Sequence, residues 1–108
     1  MLILGARKRI AIDLGDGREF TLIARGVGAT AALSWQSAVA EAGDDPECAL
    51  DASLMVLEHA VCDWDGVQDA AGVVVEFDST LFDSFGLGDV ITMAAEVVTG
   101  GSRRLGNG

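Results

Sequence analysis

Residues 7–25, RKRIAIDLGDGREFTLIAR, most constrain what this chain can fold into, because two short alternating runs meet at Gly15-Asp16-Gly17. The runs Arg9 to Leu14 and Glu19 to Ala24 have strand character, and the Asp-Gly step between them supplies the positive φ angles that a tight connection demands. Alternation sets Ile10 and Ile12 on one face, with Phe20, Leu22 and Ala24 on the matching face of the second run. A two-stranded hairpin is marginal in water by itself, so this apolar face must pack on something.

The remainder of the chain supplies helices. Thr30 to Ala42 is alanine-rich, carries Leu33, Trp35, Val39 and Ala40, and is expected to end at Gly43 as its C-cap. A second helix is expected after Asp45 as N-cap, with Pro46 in its first position and Glu47 in its first turn, where an acid suits the helix dipole. Its core face is expected at Leu50, Leu54, Leu57 and Val61; Cys48, Ala52, Met55 and Cys62 occupy neighbouring faces, so it reads as a central helix apolar nearly all round. Residues 63–72, DWDGVQDAAG, read as loop, and Val73 to Phe77 as a short extended piece. A short helix capped by Asp78 or Ser79 then runs through Leu81, Phe82 and Phe85 and is broken at Gly86 and Gly88. Asp89 to Thr99 forms the last helix, with Val90, Ile91, Ala94, Val97 and Val98 as its stripe. The fold class expected is therefore α+β, mainly helical: an N-terminal β-hairpin packed on about four helices. One globular domain spans residues 1–100, followed by a flexible tail, residues 101–108.

Charge narrows the partners. The chain has 17 acidic and 7 basic side chains, a net charge of -10, and no lysine or arginine between Gly26 and Ser102. Nucleic acid binding draws its affinity from cations that neutralise phosphates, so neither DNA nor RNA is an expected partner. The same field disfavours anionic membranes and favours docking to a basic or apolar protein surface. The run MLIL precedes its basic cluster, the reverse of a signal peptide's order, and no apolar run approaches the roughly 20 residues of a membrane span. Cys48 and Cys62 form no CxxC motif and read as small buried hydrophobes, which places the chain in a reducing cytoplasm.

Candidate chemistry is sparse. His59 stands four residues before Asp63, with Ser53 at i-6 and Cys62 at i+3, but no signature joins them into a catalytic pair. The acidic sequence D-W-D-G-V-Q-D, from Asp63 to Asp69, lacks the calcium-loop pattern: Gly66 falls at position 4, Val67 at position 5 and Val74 at position 12. Gly26-Val27-Gly28 lacks the third glycine of a dinucleotide loop. No metal, cofactor or catalytic residue is therefore called for. Trp64 reads either as a core anchor that pins its loop or as an exposed anchor for a partner, with the core role favoured; Trp35 divides the same way.

The segment VCDWDGVQDAAGVVVEFDSTLFDSFGLGDV resembles small tail assembly chaperones of long-tailed bacteriophages. The shared pattern is a helix ending in a hydrophobic residue, here Val61, then Asp63, Trp64, Asp65, Gly66, Val67, Asp69 and Gly72. A short extended stretch, Val73 to Phe77, and a helix opened by Ser79 and Thr80 follow, and the upstream strand pair also fits. The resemblance implies a non-enzymatic protein of the bacterial host cytoplasm that binds the tape measure protein, keeps it soluble and helps recruit tail tube protein. It marks Asp63, Trp64, Asp65, Gly66, Val67 and Asp69 as family-motif or partner-binding positions, and homo-oligomerisation stays open. The alternative is a small acidic phage adaptor or structural virion accessory protein acting by protein–protein binding.

Overall fold

The computed structural model describes residues 6–100; the Met1–Gly5 run and the 101–108 tail lie outside them. The fold is α+β and mainly helical: β1 (Lys8–Asp13), β2 (Glu19–Ala24), α1 (Ala29–Ala40), α2 (Pro46–Ala60), β3 (Val61–Asp65), a 3-10 helix (Ser79–Ser84) and α3 (Leu87–Thr99). The hairpin forms as expected, and its register runs from Lys8 opposite Ala24 to Asp13 opposite Glu19. Gly15, Asp16 and Gly17 all take positive φ, at 86°, 55° and 77°. Asp13 Oδ1 accepts the Gly15 N–H at 2.8 Å and steadies the turn.

The hairpin is extended by a third strand, Val61–Asp65, which takes Val61 and Cys62 out of the expected second helix and Asp63 to Asp65 out of the expected loop, while residues 66–72 keep their turn. Val61–Asp65 pairs antiparallel with β2, Trp64 opposite Leu22 and Asp65 opposite Thr21, with a register shift beside Ile23 and Ala24. The turn-forming aspartates concealed an alternation: Val61 and Trp64 are buried while Asp63 and Asp65 are exposed, so the shifted strand keeps its apolar groups inward and its charges outward.

The helices sit on one face of this sheet. Ile10, Ile12, Leu22, Ala24, Val61 and Trp64 meet Val56, Leu57 and Ala60 of α2, Val90, Met93, Ala94 and Val97 of α3, and Phe82 of the 3-10 helix in one core. On the opposite face Arg9, Ala11, Asp13, Asp63 and Asp65 are exposed.

Several boundaries move. Helix α1 stops at Ala40, and Gly43 is not its C-cap: it lacks the left-handed φ of a capping glycine, and Glu41 closes the helix through its own N–H. Helix α2 starts as expected, Asp45 Oδ1 accepting the Cys48 N–H at 3.1 Å ahead of Pro46. Its buried face, however, is Ala49, Ser53, Val56, Leu57 and Ala60, while Leu50 and Leu54 are half-buried. The small residues take the closest approaches to neighbouring elements, which turns the larger leucines toward the edge of the core. Cys48 is exposed and Cys62 half-buried, because Cys48 lies in the first turn of α2, off that face. The segment after Asp78 is a 3-10 helix, capped by Asp78 Oδ1 on the Thr80 N–H at 3.0 Å. Gly86 is the N-cap of α3, so Gly88 lies inside the helix and does not break it, and Gly100 ends it at φ 62°.

Candidate functional site

Two places carry the candidate residues: the motif on β3 and the turn after it, and a groove between α1 and α2.

The motif residues have local structural tasks, carried by the side chains of Asp63, Trp64, Asp65 and Asp69 and by the backbone at Gly66 and Val67. Asp63 Oδ1 accepts the N–H of Trp64 at 2.8 Å. Trp64 is only 7% exposed; its ring meets Phe77 and Phe82 edge-on, with centroids at 5.2 and 5.8 Å, and Phe85 at 6.4 Å. Its indole N–H donates to the Val75 carbonyl at 2.8 Å. Trp64 is thus a core anchor, and the strand it fixes is joined to the extended piece that follows. Asp65 meets Arg9 at 3.1 Å across the exposed sheet face, a pairing whose solvation limits its worth to under about 1 kcal/mol.

Beyond the strand the chain turns back. Gly66 has φ 90°, and a Cβ there would stand 3.6 Å from the Phe20 backbone. Val67 accepts the Val75 N–H through its carbonyl at 2.9 Å. Asp69 Oδ1 accepts from the N–H groups of Ala71 and Val73 at 2.8 and 3.0 Å, which closes the turn completed by Gly72 at φ 81°. The result is a small arm, with Gln68 bridged to Val74, that displays Val73 and Val74 at 60% and 70% exposure.

The groove has a different chemistry. It encloses about 270 Å³ between the first half of α1 and the second half of α2. Trp35, Val56 and Ala60 form its floor, Ala31 and Ala52 its walls, and Met55 and His59 stand on its rim; Gly26-Val27-Gly28 closes one end. Trp35 is buried and donates its indole N–H to Ser53 Oγ at 2.9 Å, so both polar atoms are satisfied beneath an apolar surface. Met55, by contrast, is 62% exposed. Asp51 and Glu58 stand four residues before and three after Met55 on the same exposed side of α2, and no lysine or arginine lies on any of these helices.

The sequence did not single this groove out. Its traces are small residues, Ala31, Ala52 and Ala60, where two helices approach each other, and a methionine turned away from the core. The residues weighed for catalysis do not converge: His59 is exposed on the rim, whereas Ser53 is fully buried and engaged by Trp35. Among the described residues no group of three or more His, Cys, Asp or Glu is placed to hold a metal ion, and no helix is long and apolar enough to cross a membrane. Compared with family models, with curated proteins and with solved structures, the chain finds no match.

Proposed function

We propose that this chain is a tail assembly chaperone of the long-tailed bacteriophage kind, working in the host cytoplasm without catalysis. It holds apolar helix faces of the tape measure protein in the α1–α2 groove, keeps that protein soluble and assists the recruitment of tail tube protein around it. The observation that supports this reading best is the groove itself: an open apolar trough with an exposed methionine on its rim, set between α1, which carries no charged residue, and α2, which carries acids and no lysine or arginine. Such a trough suits an amphipathic helix that inserts side chains at i, i+3 and i+4, and methionine lets the rim adapt to different inserted side chains. The acidic surround favours a partner whose apolar stripe is flanked by lysine or arginine.

The test is co-expression with the tape measure protein of the same genome, followed by affinity capture, a solubility assay and a protein inventory of purified particles. The reading expects co-purification, rescue of solubility and absence from the particle. Presence in the particle with no effect on tape measure solubility would favour the structural accessory protein in its place.

A further inference from the structure

Strand β1 offers a surface of a different kind. The sheet order is β1-β2-β3, and among the described residues no strand lies beyond β1. The ladder fixes which backbone groups are left over. The Leu14 N–H bonds to the Arg18 carbonyl at 2.9 Å, while the Arg18 N–H bonds to the Gly15 carbonyl at the turn, so the Leu14 N–H faces β2. Stepping by two places Ile12, Ile10 and Lys8 in bonded pairs with β2. The N–H and C=O groups of Arg9, Ala11 and Asp13 therefore point away from β2, along an edge interrupted by neither proline nor bulge.

We propose that this edge pairs with the same edge of a second copy of the chain, antiparallel about a two-fold axis through Ala11. The register follows from geometry and charge together. The outward-pointing backbone groups belong to odd-numbered residues, and the core-facing side chains of both copies must stay on one side of the joined sheet. Centring the pair on Ala11 meets both conditions, and it sets Arg9 opposite Asp13 of the second copy and Ile10 opposite its Ile12. Arg9 and Asp13 lie on the same exposed face in each copy, so the opposed pair is of opposite charge on both sides of the axis. The wider field points the same way. Every cation among the described residues, Arg7, Lys8, Arg9, Arg18 and Arg25, belongs to the hairpin or its flanks. A symmetric contact sets one patch against itself, and pairing through the hairpins spares the two molecules, each of net charge -10, a contact between their acidic helices. The joined sheet has six strands with all its helices on one side.

Sedimentation of the full chain over a concentration series reads this directly. The mass should rise from 11.2 kDa toward twice that value as concentration increases. Ala11→Pro removes an N–H that points to the free edge and leaves the β1–β2 bonds intact, so it should keep the parent circular dichroism and remain at 11.2 kDa. Ala11→Cys in a Cys48→Ser, Cys62→Ser background supplies a second readout that does not depend on the proline variant folding. The bonded pair at the axis brings the two Cα atoms to about 5.5 Å, within disulfide range, so oxidation should give the covalent dimer. A chain that stays at 11.2 kDa at every concentration overturns the proposal, and this includes the case in which the edge takes an extended segment of another protein. A dimer that persists in a folded Ala11→Pro chain, or that fails to cross-link through Ala11→Cys, also overturns it.

Discussion

Replacing Trp64 by alanine should bring this chain close to unfolding. The ring is 7% exposed and touches Phe77, Phe82 and Phe85, so its removal deletes the centre of an aromatic cluster. Truncating a buried tryptophan costs about 3–5 kcal/mol through lost burial and the cavity left behind. The specific edge-to-face contacts add about 0.5–1.5 kcal/mol per pair where the cluster cannot close up. The Val75 carbonyl also loses the indole donor that now stands 2.8 Å away; Val75 is half-buried, so water replaces part of that bond. A total near the upper part of the 3–5 kcal/mol range compares with about 5–15 kcal/mol for the whole stability of such a domain. Urea titration followed by far-ultraviolet circular dichroism measures it, and the melting midpoint should fall by roughly 15 °C or more. Trp64→Phe keeps most of the ring contacts and loses the N–H, so it should cost about 1–2 kcal/mol. A loss below about 1 kcal/mol for Trp64→Ala would refute the pin, because a buried ring in a packed cluster cannot be removed so cheaply.

Three further outcomes follow from local geometry. Trp35→Phe leaves the buried Ser53 hydroxyl without its donor and should cost about 1–3 kcal/mol, whereas adding Ser53→Ala should recover part of that loss; a double-mutant cycle with no coupling contradicts the bond. Gly66→Ala should cost about 1–3 kcal/mol from its φ of 90°, while Gly26→Ala, with open space around it and no positive φ, should stay within about 0.5 kcal/mol by the same denaturation assay. Hydrogen bonds from the Thr80 backbone and side chain hold the Asp78 carboxyl below the usual carboxylate range. Its contribution is therefore present above the ordinary aspartate pKa and lost as pH falls through the lowered one; the Thr80 amide shift should titrate below the midpoint of an unstructured aspartate, and a midpoint at or above it contradicts the cap.

The elements whose signals are local were readable in the sequence. The hairpin followed from Gly15-Asp16-Gly17 and its flanking alternation, and the start of α2 from Asp45 and Pro46, because turn chemistry and caps act within a few residues. What escaped depended on distant partners. Strand β3 exists because β2 offers a second edge and because Trp64 finds three phenylalanines from the segment that follows; the aspartates around it, read alone, describe a turn. The face of α2 was misplaced by one residue for the same reason: the position of Ser53 against Trp35 decides which side of the helix is covered. The motif residues were found by resemblance, and the structure gives each a task in folding. The groove, built from alanines and one outward methionine, left no motif to find.

The claim that the α1–α2 groove takes an amphipathic helix is tested most directly by one comparison. A peptide spanning an apolar helical stretch of the tape measure protein would be titrated into the parent chain, into Met55→Glu and into Leu33→Glu. Both residues are exposed, at 62% and 64%, so each variant should keep the parent melting profile, and only Met55 lines the groove. The account predicts saturable binding to the parent and to Leu33→Glu, with affinity for Met55→Glu weakened about tenfold or more, the equivalent of at least 1.4 kcal/mol. Equal binding by all three folded proteins would show that the helix docks elsewhere, and no binding by any of them would contradict the chaperone reading.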